Sequence, residues 1–326
     1  MATSHKLVLA FETSCDETCA AVVDGSLNVL SNVVSSQIEI HKLYGGVVPE
    51  IASRNHVLAI QTVCEEALNQ AGKIFGNLTD IAATTQPGLR GAVMVGHVFG
   101  ESLANALDIP FTEVNHLAGH IASVAITYKD LKPPFLSLLV SGGHTSLYKI
   151  NNWQDVHMLC ETTDDACGEA FDKVAKMLGL GYPGGVQIQH VAEQSKGDVS
   201  SYITFVQKPN YQKSSFSYSG LKTAVLNYLN RKKQKGEDID VPFVCASFQH
   251  EAVEQLVIKC IAELQKSGIR ILSVCGGVSA NLYLRKRMTE ECEKKEVSVF
   301  FPEFKYCTDN AAMIGAAKVL NCLTEI

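Results

Sequence analysis

The apolar positions of this chain fall into two rhythms that alternate, and the alternation then starts again. Lys6–Glu12 (K-L-V-L-A-F-E) holds a continuous apolar run, the mark of a strand covered on both faces, and shorter strands follow near 19–24 and 28–34. From Pro49, a residue suited to a first helical turn, helical spacing runs to Ala71. A strand at 80–85, a helix at 92–106, a strand at 111–115 and a helix from about 116 come next. Strands at 135–140, 145–150 and 157–161 open a second round, with helices near 168–178, 215–233 and 243–267. A strand at 270–275, a helix at 281–295, a short strand at 297–300 and a helix at 308–323 end it. Three strands followed by alternating helices and strands, twice, predict an α/β chain of two related lobes with a cleft between them. K-D-L-K-P-P at Lys129–Pro134 breaks both periodicities, so the expected lobes are 1–130 and 131–326.

Composition narrows the class. With 326 residues, 46% of them hydrophobic, the chain can bury two ordinary cores. It holds no apolar run of about 18 residues, and M-A-T-S-H-K enters the first strand directly, so the expectation is a soluble protein without a membrane span. Eleven cysteines, none in a C-x-x-C pair, predict a reduced, cytoplasmic setting rather than a disulfide framework or zinc ribbon. A formal net charge of -6 gives no global attraction to nucleic acid; any such contact needs a local patch, such as Arg231, Lys232, Lys233 and Lys235, or Arg285, Lys286 and Arg287.

The chemistry begins with N-H-L-A-G-H. His116 and His120 are four residues apart, hence on one helical face, and two imidazoles so placed can reach one cation. A zinc peptidase helix carries glutamate after the first histidine; Leu117 stands there, which disfavours water-activating hydrolysis. Three loops at strand ends present backbone amides: Phe11–Thr18, Leu139–Thr145 and Cys275–Asn281. Their glycines allow close approach of a phosphate, although neither a Walker A loop nor a Rossmann fingerprint is present. Asp172 on a helix can accept from ribose hydroxyls, and Gly185 in the turn after it can admit a sugar or base; a surface pair Asp172–Lys173 is the alternative. Asp309 or Thr308 suits the cap of the last helix, and the Asp309 carboxylate could equally complete a two-histidine, one-carboxylate set.

Ten blocks in this order resemble the TsaD family of tRNA N6-adenosine threonylcarbamoyltransferases, formerly described as O-sialoglycoprotein endopeptidases. They are Glu12–Thr18, Gly45–Arg54, Pro87–Leu89, Asn115–His120, Val140–Thr145, Gly168–Lys173, Tyr182–Gly185, Phe216–Thr223, Gly276–Asn281 and Cys307–Asn310. The resemblance implies an actin, sugar-kinase and Hsp70-like (ribonuclease H-like) fold with a nucleotide in the cleft. It implies one divalent metal on His116, His120 and Asp309, usually iron in the family, with Zn2+ or Mg2+ as alternatives. It places an adenine nucleotide against Leu139, Val140, Ser141, Gly142, Gly143, Asp172, Gly185 and Asn281. The implied reaction passes threonylcarbamoyl from its adenylate to N6 of adenosine 37 in tRNAs reading ANN codons and releases AMP. Asp16 and Glu17 are candidates for handling the proton, or else for contacts around the metal. The implied partners are tRNA, a smaller paralogous TsaB-type subunit, a small TsaE-type ATPase and a separate synthase that supplies the adenylate.

This chain departs from the family pattern at Val186 and Gln189, where proline and an acidic residue are usual; Gln189 can still bond a ribose but without a charge. Leu139 and His144 resemble the bacterial and organellar branch. Two other readings stay open: an ATP-dependent kinase or ATPase of the same fold, and an inactive scaffold paralogue, which would lack the histidine pair and C-T-D-N.

Overall fold

The computed structural model describes residues 6–206 and 215–322; the last residue of the expected final helix, 323, lies outside them. Two compact units are present. One comprises Met1–Pro133, Ile150–His157 and Pro302–Ile326, the other Pro134–Lys149 and Met158–Phe301.

The first unit is built on β1 (Leu7–Glu12), β2 (Glu17–Asp24), β3 (Val29–Ser36), β4 (Asp80–Gln86) and β5 (Phe111–Asn115), in the order β3-β2-β1-β4-β5. β1, β2 and β3 are antiparallel neighbours, whereas β1, β4 and β5 run parallel. Its helices include α1 (Ile38–Lys42), α2 (Pro49–Ala71), α3 (Arg90–Leu107) and α4 (His116–Thr127). The unbroken apolar run of β1 is explained by its two covered faces. Leu7, Leu9 and Phe11 join the core beneath α2 and α3, while Val8 and Ala10 join the core that contains Ala118 and Ala122 of α4.

A second sheet repeats that plan with β6 (Phe135–Val140), β7 (Thr145–Asn152), β8 (Asp155–Glu161), β9 (Ile271–Cys275) and β10 (Ser298–Phe300), the β7–β8 hairpin tip at Ile150–His157 belonging to the first unit. Their order is β10-β9-β6-β7-β8, with β6, β9 and β10 parallel, so each sheet places its own third, second, first, fourth and fifth strands side by side. The helices are α5 (Cys167–Met177), α6 (Gly184–Ala192), α7 (Ser219–Lys235), α8 (Val241–Ser267) and α9 (Leu282–Glu293). Among the described residues no helix is long and apolar enough to cross a membrane.

Two sequence expectations need correction. The segment assigned to the second lobe does not end there: Pro302–Ile326, carrying α10 (Ala311–Leu320), belongs to the first unit. The reason is packing. Ala311–Ala317 are buried throughout, and Gly315 lies so near β2 that a Cβ there would be 2.6 Å from Val23 Cγ2. Periodicity announced a helix but not which sheet it would cover. Secondly, the Tyr182–Gly185 turn continues into α6. Two leading glycines hide that helix, and Asp172 supports its start by accepting the Gly184 N–H at 2.7 Å.

Candidate functional site

The histidine pair starts where β5 ends. Asn115 caps α4, its Oδ1 accepting the amides of Leu117 at 2.8 Å and Ala118 at 3.4 Å. His116–Ile126 are all buried, so the pair does not lie on a solvated face. The two rings meet edge to face, with centroids 4.6 Å apart. Gly119, between them, makes room for α10: a Cβ there would stand 2.8 Å from Ile314 Cδ1. Asn310, not Thr308 or Asp309, is the cap of α10; its Oδ1 accepts the Met313 N–H at 3.0 Å. The Asp309 carboxylate instead turns to the imidazoles, with Oδ1 3.5 Å from His116 Nε2 and 3.2 Å from His120 Nε2. One potential ligand atom from each of the three residues lies within 4.8 Å of the others.

Behind the trio stands Glu12, fully buried at the end of β1. Its Oε2 is 3.0 Å from His116 Nδ1 and also accepts the Thr84 hydroxyl, while Oε1 accepts the Ser14 amide. A carboxylate only accepts, so in the neutral ring Nδ1 carries the hydrogen and Nε2 presents its lone pair beside Asp309. Burial alone would lower the His116 pKa, but the Glu12 and Asp309 carboxylates outweigh it and push it up to about 9. For Glu12 burial raises the pKa, and the charge and hydrogen bond of His116 reverse that and hold it down. His120 is lowered, chiefly by burial. Neither of its ring nitrogens has a properly directed hydrogen bond, although Asp309 Oδ1 is 3.2 Å from Nε2. A fully buried imidazole without hydrogen bonds is costly on its own. Two imidazoles and one carboxylate are also a donor set that suits a divalent transition metal. On both counts the residues fit a metal.

Asp16 lies on the β1–β2 turn and Glu17 opens β2; neither is part of that trio. Asp16 is buried, and its Oδ2 has no hydrogen bond. Glu17 accepts from the Ser36 hydroxyl at 3.2 Å, and burial, with the charges of Asp16 and Asp309, pushes its pKa up to about 9. Sequence reasoning missed the roles of Glu12, Ser14 and Thr84. A carboxylate closing a wholly apolar strand was the available signal for the first.

In the second unit the proposed nucleotide residues divide by what they have left to offer. Leu139 and Val140 bury their side chains completely, leaving only backbone for a ligand. Ser141 ties its turn, donating its amide to His144 O at 2.8 Å and accepting the His144 amide on Oγ at 3.1 Å. Gly142 and Gly143 face open space, whereas Gly168 is a packing glycine: a Cβ there would be 2.6 Å from Ser141 O. Gly276, with φ +88°, is another, its virtual Cβ 2.5 Å from Val140 O. Gly184 is held against the backbone of Asp172, while Gly185 is open. Gln189 Oε1 accepts the Leu282 amide at 2.7 Å. Asn281 caps α9 through the Leu284 amide at 2.9 Å and donates to Gln249 Oε1 at 2.8 Å. The expected ribose acceptor of Gln189 is therefore occupied at the start of α9.

The basic runs also separate. Arg287 is matched by Glu254 at 2.7 Å, Glu290 at 2.6 Å and Glu291 at 3.3 Å, so it serves helix packing. At the end of α7, Lys232 pairs with Glu237, while Arg231, Lys233 and Lys235 are exposed.

Comparison with known proteins identifies the family and the fold. The model of the TsaD family, tRNA N6-adenosine threonylcarbamoyltransferase, matches residues 28–316. The tRNA N6-adenosine threonylcarbamoyltransferase of Clostridium perfringens is 47% identical over 322 residues, spanning 98% of this chain and 94% of the relative. That of Clostridium botulinum is 46% identical over 312 residues, 95% of this chain and 91% of the relative. Among solved structures, full-length HypF in its phosphate- and nucleotide-bound form gives a TM-score of 0.65 at 13% identity; the match covers 98% of this chain and 46% of that one, about half its length. Component A of the (R)-2-hydroxyglutaryl-CoA dehydratase of Acidaminococcus fermentans gives 0.55 at 11% identity, over 97% and 99% of the two chains. At such identities the structural likeness is one of fold.

Proposed function

Because this chain belongs to the tRNA N6-adenosine threonylcarbamoyltransferase family, we propose that it passes the threonylcarbamoyl group of threonylcarbamoyl-adenylate to N6 of adenosine 37 in tRNAs reading ANN codons, releasing AMP. The observation that carries this reading is the convergence of His116, His120 and Asp309 in a buried place where His120 has no hydrogen bond of its own. His116, His120 and Asp309 would hold one divalent metal, iron in this reading, which would supply Lewis acidity when bound.

The remaining work falls to the chain itself. An exocyclic amine is a weak nucleophile, so the rate comes from an activated acyl donor and from holding donor and acceptor in place. Glu12 keeps the His116 ring oriented through Nδ1. The open backbone at Gly142 and Gly143 receives the phosphate, and Asp172, Gly185, Asn281 and the Leu139–Gly143 backbone bind the adenosine part, with Gln189 held at the start of α9. Asp16 takes the proton that N6 sheds on acylation; Glu17, protonated at neutral pH, spares it a second adjacent negative charge. The partners in this reading are tRNA, a smaller paralogous TsaB-type subunit, a small TsaE-type ATPase and the synthase that makes the adenylate.

The test is reconstitution with threonine, bicarbonate, ATP, tRNA and those components, followed by hydrolysis of the tRNA and detection of the threonylcarbamoyl nucleoside. The nucleoside should form with the native chain and be lost with His116→Ala. Product at the native level with His116→Ala would overturn the metal assignment, and no product with the native chain would overturn the reaction.

A further inference from the structure

We propose that His56 is a positioning residue for this transfer, clamping the chain at Asp16 and Glu17. The proposal rests on the reading that those two carboxyls act at the reacting end.

His56 projects from α2 and is fully buried. Its Nε2 lies 3.0 Å from the carbonyl of Cys15, and its Nδ1 lies 2.8 Å from the hydroxyl of Thr18. Cys15 and Thr18 are the residues on either side of Asp16–Glu17, so a single ring spans the carboxyl pair. The hydrogen positions follow from the partners. A carbonyl can only accept, so Nε2 carries the hydrogen. Nδ1 is then the acceptor of the neutral ring, and both groups that face it can donate: the Thr18 hydroxyl and the Gln37 side-chain amide at 3.4 Å. Burial lowers the pKa of His56, in keeping with the neutral form. One tautomer satisfies every neighbour.

The turn needs such a clamp. Its first half is fixed from α3: the Thr13 hydroxyl donates to Ala92 O at 2.8 Å, and the Leu89 amide donates to Ser14 O at 2.8 Å. Its second half has His56, with the Gln37 amide donating to Asp16 O at 3.0 Å. The Asp16 carboxylate does not anchor itself through Oδ2, which is buried without a hydrogen bond. Its backbone is therefore one determinant of its place, and the ring of His56 holds that backbone on either side.

The experiment uses the full chain in the reconstituted reaction, with His56→Ala, His56→Gln and Thr18→Val. Three quantities are followed: single-turnover rate and KM for the adenylate, metal content, and amide hydrogen exchange at residues 15–18. With His56→Ala the rate should fall about tenfold or more, the cost of losing at least one well-placed hydrogen bond. KM and metal content should stay within about twofold while exchange at 15–18 accelerates. His56→Gln, whose amide can still donate to Cys15 O, should recover part of the rate. Native rate and native exchange in His56→Ala overturn the proposal, as does a glutamine variant no better than alanine. Faster exchange with an unchanged rate sinks the role of Asp16 and Glu17, and that of His56 with it. Asp16→Asn, run alongside, separates the cases: a native rate there faults the carboxyl reading rather than the clamp. Should His56→Ala fail to fold, Thr18→Val removes one hydroxyl only, and native rate and exchange in that variant overturn the clamp.

Discussion

The turn between β1 and β2 and the turn between β6 and β7 hold the same place in two sheets of the same strand order, yet they carry opposite chemistry. The first is made of side chains. Glu12, Ser14 and Asp16 are buried there, and both Glu12 and Ser14 meet the ring of His116. The second is made of backbone: Ser141 closes it on itself, and at Gly142 and Gly143 nothing stands within 4 Å of where a side chain would begin. A transition-metal cation needs imidazole, thiolate or carboxylate donors at fixed distances, which locked side chains provide. An anion can be met by amides, which need nothing but clear approach. The two turns thus differ in what they present, buried polar side chains in one and open backbone in the other.

Removing a donor from the first turn's neighbourhood should have the largest effect. His120→Ala should abolish stoichiometric metal binding and lower transfer by roughly three orders of magnitude, the several kcal/mol that a Lewis acid contributes. Elemental analysis and nucleoside detection check both parts. A variant that keeps its metal would break the comparison.

Glu12→Gln sharpens it. The amide can no longer hold His116 Nδ1–H as a charged acceptor, and metal affinity should drop roughly 10–100-fold. Calorimetric titration of the metal-free chain reads this without recourse to activity.

On the second turn Gly142→Ala should leave the fold within about 0.5 kcal/mol, since nothing stands within 4 Å of the added carbon. The affinity for AMP should nevertheless fall about tenfold, as expected when a hydrogen bond to a charged group is lost. Gly168→Ala is the control with the reverse profile: its Cβ would press on Ser141 O at 2.6 Å, costing about 1–3 kcal/mol of stability. Equal thermal midpoints for the two variants would refute the division of glycines into open and packed.

The smallest effect is a pH dependence confined to the first turn. Metal-free His116 titrates at about 9, above its ordinary value, because Glu12 and Asp309 stabilise its cation. Below that pH an incoming metal must displace the proton, so metal affinity should rise by up to about tenfold per unit from pH 7 toward 9. The same shift has a consequence for the metal-free chain. Its contribution to stability is full below about pH 6.5 and is lost as pH rises through about 9. AMP binding to the second turn should lack the upward trend.

Much of this molecule is local in origin, and the sequence alone determined that part. The helix Pro49–Ala71 and the strands Phe111–Asn115 and Phe135–Val140 have the bounds that periodicity predicts, and His116 and His120 share a helical face because four residues make about one turn. The ordered motifs were enough to indicate the family. Only the tertiary structure decided the rest. Glu12 is 104 residues from His116; a carboxylate ending an apolar strand marks it as unusual, but nothing in the sequence names its partner. Asp309 reaches the histidines because α10 packs on α4 across Gly119 and because Asn310 takes over the cap. Gln189 and Asn281 are engaged at α9 by partners far along the chain, Leu282 and Gln249 respectively. Hydrophobic periodicity records how each segment is covered, one turn or one pleat at a time. Which segment does the covering, and which donors are thereby brought together, is settled by packing over the whole chain.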